Sequence, residues 1–299
     1  MKMKKKTNIR TFMVLMFSLS FLLFPMISKS QAVTNDVQVL ESYLKSIDSV
    51  LATTKSITAE DTQKSLLDSA KIATVNLLKP IKKVLTGNTL YEKAKLATVI
   101  TGCAYKCPRC SNTHLSESSG YIIDPTGIVI TNYHVMAQYA FMKDGNKPVG
   151  FFVRLADGHT FAVKSILASS KKNDLAVLQL ETNGVKLPAL ALGDPAKVGD
   201  PIYVLGHPKG MHYYLSNGIV NNNYLEEAGG DGQKFFREMM AISADYATGS
   251  SGGPILDAFG NVVGTVSNTK MLLHSDMNPT VQMVLKNTVP VKSLRKLLR

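Results

Sequence analysis

Gly249-Ser250-Ser251-Gly252-Gly253-Pro254 is the stretch on which the reading of this 299-residue chain turns. A serine hydroxyl is a weak nucleophile, and the oxyanion formed when it attacks a carbonyl needs backbone amides to hold it. Flanking glycines let the main chain turn tightly and come close to a substrate. The same composition also makes a plain flexible turn, so the stretch needs partners elsewhere in the chain.

Two other stretches supply them. Thr131-Asn132-Tyr133-His134-Val135 follows short hydrophobic runs, and Lys172-Asn173-Asp174-Leu175-Ala176-Val177-Leu178 sets one acid at the head of an apolar run. A serine nucleophile needs an imidazole base, and the base needs a carboxylate to fix its tautomer and stabilise its charged form. His134, Asp174 and Ser251 offer these roles in that order, 40 and then 77 residues apart. Taken singly, each also has a plain structural role: a histidine at a strand end, a capping aspartate, a turn serine.

Around these residues, from about residue 96 onward, the texture is β. Tyr121-Ile122-Ile123 runs into the turn Asp124-Pro125-Thr126-Gly127 and out through Ile128-Val129-Ile130. Phe151 to Leu155, Pro201 to Leu205 and Asn261 to Val266 are further short runs bounded by turn residues. Many short strands at this spacing predict a mainly β fold, a barrel or sandwich. The last nine residues return to helical spacing, with basic side chains where the negative end of a helix dipole favours them.

From about residue 98 the chain resembles the trypsin-like serine peptidases of the chymotrypsin fold, and among them the bacterial HtrA-like branch. Residues 119–135 look like that branch's histidine segment. Val153-Arg154-Leu155-Ala156-Asp157-Gly158 followed by residues 173–178 looks like its aspartate segment. Leu192-Gly193-Asp194, Val198-Gly199-Asp200, Gly206-His207-Pro208-Lys209-Gly210 and Ser216-Asn217-Gly218-Ile219-Val220 echo the link between its two barrels. The resemblance implies a chymotrypsin-like double six-stranded β-barrel with the site in the cleft, here with an N-terminal helical segment and a C-terminal helix. It implies Ser251 as nucleophile, His134 as general base and then acid, Asp174 as its orienting partner, and the amides of Gly249 and Ser251 as the oxyanion hole. Protein or peptide substrates would be cut through an acyl-enzyme, with no metal or organic cofactor. The alternative is a catalytically silent peptidase fold that serves as a binding or chaperone-like module. Relatives of this branch usually continue into a PDZ domain, whereas 48 residues follow Ser251, which leads us to expect none.

Specificity is less legible. Asp245 lies six residues before Ser251, the offset at which trypsin keeps its pocket carboxylate, and Val266 and Ser267 belong to the expected pocket wall. A buried carboxylate there would favour Lys or Arg by charge pairing; small or medium apolar side chains are the default otherwise.

Cys103, Cys107 and Cys110 crowd into eight residues, with His114 four positions on. Three thiolates and an imidazole would suit tetrahedral zinc. In an exported protein the expectation is instead a disulfide from Cys103 to Cys107 or Cys110, with one thiol left over. A redox-active Cys107-Pro108-Arg109-Cys110 pair is the third option.

Residues 1–32 read as an export signal: five basic residues by Arg10, an apolar run over residues 12–27, then Ser30-Gln31-Ala32. The mature protein is then expected to be periplasmic or secreted, and membrane-attached only if this segment is retained as an anchor. Residues 33–95 form a helical leader, with apolar residues at helical spacing from Val37 to Leu51 and from Leu66 to Leu78. It packs on its neighbour or makes a homo-oligomer, and residues 96–299 form the peptidase domain. The net charge of +12 does not signal nucleic acid, because half of that surplus lies in the first 32 residues, which hold no acid.

Overall fold

The computed structural model describes residues 33–68, 71–110, 112–230 and 233–299. The export signal read over residues 1–32 lies outside them. Among the described residues no helix is long and apolar enough to cross a membrane.

The first barrel is built from β1 (Thr98–Lys106), β2 (Thr113–Asp124), β3 (Ile128–Thr131), β4 (Lys147–Arg154), β5 (Thr160–Ser170) and β6 (Leu175–Leu180). The second uses β7 (Pro201–Gly206), β8 (Tyr214–Gly230), β9 (Gln233–Ile242), β10 (Pro254–Leu256), β11 (Val262–Leu273) and β12 (Val281–Pro290). Hydrogen bonding closes them in the orders β1-β2-β3-β6-β5-β4 and β10-β11-β12-β9-β8-β7. Every pairing is antiparallel, with β1 against β4 and β7 against β10 as the closing seams. Closure removes the sheet edges that an open antiparallel sheet would leave exposed.

The turn read at Asp124 to Gly127 forms between β2 and β3. The Asp124 carboxylate accepts from the amide and hydroxyl of Thr126 at 2.8 and 2.9 Å, and Gly127 donates back to the Asp124 carbonyl. Burial alone would push the Asp124 carboxyl up, but these bonds and one from the Asn76 amide hold it below the usual range.

The leader is not a free appendage: residues 35–299 are one compact unit. α1 (Asp36–Leu51) is capped by Asn35 and lays Tyr43 and Ile47, both fully buried, on the first barrel. The Tyr43 hydroxyl donates to the Ile100 carbonyl, and Arg154 reaches from β4 to the Ser42 hydroxyl at 2.8 Å. α2 (Ala59–Leu67), capped by Thr58, buries Leu66 in the same way. Tyr43, Ile47 and Leu66 are thus covered by the chain itself, while Val37, Leu40, Leu51 and Leu67 of the same two helices stay exposed.

The second predicted helix stops early. Residues 71–86 hold no helix, and Ala73 and Val75 are hydrogen-bonded to the backbone of Leu297 and Arg299. The chain's end supplies strand-like partners there, and Pro80 has no amide to continue a helix. A third helix, α3 (Gly87–Ala97), leads into β1 and buries Leu90 and Ala94. Residues 221–230 and 233–237, polar and glycine-containing, belong to the long paired strands β8 and β9, in which Glu226 faces Arg237.

α4 (Tyr133–Ala140) follows β3, and α5 (Val291–Arg295) closes the chain. One core cluster joins the barrels, with Tyr121 and Ile130 from the first, Leu205, Leu256 and Val262 from the second, and Tyr43 and Leu90 from the helices. This shared core fixes how loops from the two barrels meet.

Candidate active site

β3 and β6 are neighbours, with Thr131 opposite Ala176. His134, in the first turn of α4, and Asp174, just before β6, therefore emerge at the same end of adjacent strands. Asp174 has a left-handed φ of 52°, which Asp tolerates better than most residues. The Asn132 side chain holds the Asp174 carbonyl at 2.8 Å. His134 approaches both carboxylate oxygens of Asp174 through Nδ1, at 2.9 and 3.0 Å, and its backbone amide donates to Oδ1 at 3.0 Å. From β11 of the other barrel, the Ser267 hydroxyl donates to Asp174 Oδ2 at 2.7 Å.

With Asp174 accepting at Nδ1, the imidazole carries its proton there and leaves Nε2 as an acceptor. The Asp174 side chain is 12 % exposed and that of His134 41 %. The carboxylate is thus shielded while the imidazole reaches solvent.

Ser251 sits between two glycines with positive φ, Gly249 at 97° and Gly252 at 84°. Neither position admits a side chain. A Cβ on Gly249 would lie 2.4 Å from the His207 carbonyl, and one on Gly252 would lie 2.3 Å from the Ser119 carbonyl. The loop is held by β2 of the first barrel. The Ser119 amide and Ser118 hydroxyl both donate to the Ser251 carbonyl, and the Ser119 hydroxyl donates to the Gly249 carbonyl at 2.8 Å. Among the described residues the amides of Gly249 and Ser251 have no backbone acceptor. The Ser251 hydroxyl donates to the Ser267 carbonyl at 3.3 Å rather than to His134.

A family model described as a trypsin-like peptidase domain matches residues 118–264, which contain His134, Asp174 and Ser251. Residues 118–264 belong to the trypsin-like peptidase family. Among curated proteins, "Protease Do-like 5, chloroplastic" of Arabidopsis thaliana is 31 % identical over 183 residues, covering 60 % of this chain and 56 % of that protein. "Probable periplasmic serine endoprotease DegP-like" of Hahella chejuensis is 35 % identical over 159 residues, covering 50 % of this chain and 29 % of that protein. The chain thus spans about half or less of the length of these relatives. Among solved structures, that of Deg5 superposes with a TM-score of 0.53 at 26 % identity, over 71 % of this chain and 94 % of that one. A protease of M. tuberculosis in its active form gives 0.54 at 22 % identity, over 76 % and 90 %, a likeness of fold.

The pocket expectation needs correction in this trypsin-like domain. The Asp245 side chain is 80 % exposed and lies 3.6 Å from Lys286, so it is not a buried pocket carboxylate. The neighbouring Tyr246 is buried instead, its hydroxyl donating to the carbonyls of Asn268 and Asn287. Val266 points into the second barrel's core. Ser267 spends its hydroxyl on Asp174.

The expected Cys103 disulfide is also corrected. β1 turns the Cys103 side chain into the first barrel's core beside Phe151, and burial pushes its thiol up to about 12. Cys107, Cys110 and His114 do come together. The sulfurs are 3.1 Å apart, and Cys110 Sγ is 2.9 Å from His114 Nε2.

Sequence reasoning missed Ser118, Ser119 and Asn132, which act by hydrogen bonds to distant backbone. It also passed over His212. Its side chain, 1 % exposed, is wedged between Asp36 of α1 at 2.9 Å and Glu117 of β2 at 3.2 Å. Burial opposes its charge, but the Glu117 and Asp36 carboxylates outweigh burial and raise its pKa. His207 alongside is fully buried, and its pKa is lowered to about 3 by burial first and by His212 next. It accepts from the Tyr213 amide through Nδ1, a structural role.

Proposed function

We propose that this chain is an exported serine endopeptidase acting on protein or peptide substrates. Ser251 is the nucleophile, His134 the base and then the acid, Asp174 its orienting partner, and the Gly249 and Ser251 amides the oxyanion hole. The observation that carries this reading is the doubly contacted His134–Asp174 pair, which leaves Nε2 of a solvent-reaching imidazole free to accept. Rotation of the Ser251 side chain about Cα–Cβ frees its hydroxyl from the Ser267 carbonyl and offers its proton to Nε2. Catalytic hydrogen bonds of this kind often tighten only when substrate is present. Oγ then attacks the substrate carbonyl, and the two free amides hold the oxyanion. His134 passes the proton to the leaving amine, and a water activated by the same imidazole releases the acyl group.

Export is supported by the lysine-rich, apolar start of the sequence and by the periplasmic description of the Hahella relative. With Asp245 facing solvent, the preference proposed next to the scissile bond is for small or medium apolar side chains.

The hydrogen bond from Ser251 to Ser267 favours a second reading, a silent peptidase fold used for binding. A fluorophosphonate probe separates the two. The enzyme reading expects labelling of the folded wild-type chain at Ser251 and none of Ser251→Ala, whose turnover should fall by on the order of 10⁶. An unlabelled, folded wild-type chain selects the binding reading.

A further inference from the structure

The hairpin connecting β1 to β2 carries chemistry that the proposed peptidase mechanism does not use. Cys107 follows the last residue of β1, Pro108 and Arg109 make the turn, and His114 is the second residue of β2. A tight turn brings its first and fourth residues together, and Pro at the second place presets it. This turn delivers both sulfurs to one spot, 3.1 Å apart. His114 lies opposite Tyr105 in the β1–β2 register, and the two rings stack at 5.3 Å and 26°, which orients the imidazole. Its Nε2 reaches Cys110 Sγ at 2.9 Å, and the three donor atoms all lie within 4.8 Å of one another.

We propose that Cys107, Cys110 and His114 form a binding site for a thiophilic d¹⁰ cation, Zn²⁺ or Cu⁺. The chemistry of the donors selects this class. Two thiolates and one imidazole suit zinc and monovalent copper, whereas hard cations take oxygen ligands. Both cysteines bind as thiolates, their protons leaving to solvent, and His114 binds neutral through Nε2 with its own proton on Nδ1. Two thiolates then neutralise a dipositive ion.

Distances agree with this class. Around tetrahedral zinc, with bonds of about 2.3 Å to sulfur, two sulfurs lie roughly 3.8 Å apart. A disulfide would need them at about 2.04 Å. The observed separation is nearer the first, and a disulfide would give His114 no part. Cys110 is exposed, and no fourth His, Cys, Asp or Glu joins the cluster among the described residues. The ion therefore keeps one face open to water as Zn²⁺ or is three-coordinate as Cu⁺. Cys103, in the core, is outside the set.

The test reads metal, not peptide cleavage, so it stands apart from the peptidase proposal. The full-length chain, reduced and kept anaerobic, is titrated with Co²⁺ and, in separate arms, with Zn²⁺ and with Cu⁺ against a chromophoric chelator. One equivalent of Co²⁺ should give a sulfur-to-metal charge-transfer band that one equivalent of Zn²⁺ removes, and Zn²⁺ should raise the melting temperature. Retention of Cu⁺ against the chelator in place of a Zn²⁺ response would identify the copper form of the site. Cys107→Ser, Cys110→Ser and His114→Ala should each weaken binding by more than about 100-fold, since loss of even an outer partner of a ligand costs 10 to 100-fold. Circular dichroism checks that these turn variants remain folded. The proposal is overturned if the fully reduced chain binds none of the three ions at one equivalent, or if His114→Ala binds as tightly as the wild type.

Discussion

The histidine–carboxylate contacts at His134 and at His212 differ chiefly in what covers them. His134 meets Asp174 at 2.9 Å with 41 % of its side chain exposed. His212 meets Asp36 at the same 2.9 Å and Glu117 beyond, with 1 % exposed. Similar donor and acceptor atoms thus serve opposite ends. An imidazole with one nitrogen tied and the other reaching solvent can move a proton to and from a substrate. One with both nitrogens tied to carboxylates and no solvent can only hold elements together. His212 holds the start of α1 to β2, the strand whose Ser118 and Ser119 grip the Ser251 loop.

The comparison breaks most visibly in rate. Asp174→Asn should leave the fold intact and lower kcat/KM by on the order of 10⁴, because the amide no longer enforces the Nδ1–H tautomer. Steady-state kinetics with a peptide ester or protein substrate checks this, and a loss under tenfold would remove Asp174 from the mechanism. His212→Gln should do the reverse. It leaves a carboxylate buried without its charged partner, a cost of about 3 kcal/mol. For a domain of this size that lowers the melting temperature by roughly 6 to 10 °C, while kcat/KM at a permissive temperature stays within a few-fold. Calorimetry beside kinetics separates the two variants.

Smaller effects sharpen the contrast. Ser267→Ala removes one hydroxyl from the Asp174 carboxylate and should cost on the order of tenfold in kcat, with little change in KM. The least effect is a pH tilt in stability. His212 has a raised folded pKa, so its contribution is complete below its unfolded value of about 6.5 and is lost as pH rises through the folded value. His207, lowered to about 3, works oppositely, costing stability as pH falls below about 6.5. Denaturant titrations from pH 5 to 9 should therefore show the gap between wild type and His212→Gln narrowing toward alkaline pH. The charged groups facing His212 are Asp36 and Glu117, with neutral His207 beside it. A pH-independent gap would show that His212 acts by packing alone.

Much of the fold was legible because its signals are short. Short apolar runs bounded by turn residues such as Asp157-Gly158 report strands directly, and the turn at Asp124 to Gly127 formed as read. The proposed triad of His134, Asp174 and Ser251 could be singled out because each residue stands in a stretch whose local composition suggests its chemistry. Ser118, Ser119 and Asn132 were not, since a serine that bonds a backbone carbonyl 130 or more residues away looks like any strand serine. Residues 71–86 were misread for a related reason: apolar residues at helical spacing also suit a non-helical segment lying on a barrel. There the choice belonged to the backbone of Leu297 and Arg299. Residues 221–230 and 233–237 are polar yet form strands, because β8 and β9 support each other by cross-strand pairs such as Glu226 and Arg237.

By itself the sequence determined the residue types that the proposed nucleophilic chemistry calls on, their order, and the strand-rich texture that carries them. All of these depend on neighbours within a few positions, through turn preferences and side-chain alternation. Only the tertiary structure decided which histidine reaches solvent, that Asp245 faces outward, that Cys103 is sequestered while Cys107 and Cys110 converge with His114, and that β2 clamps the Ser251 loop. Those outcomes rest on burial and on hydrogen bonds between residues far apart in the chain, which exist only once two closed barrels share a core.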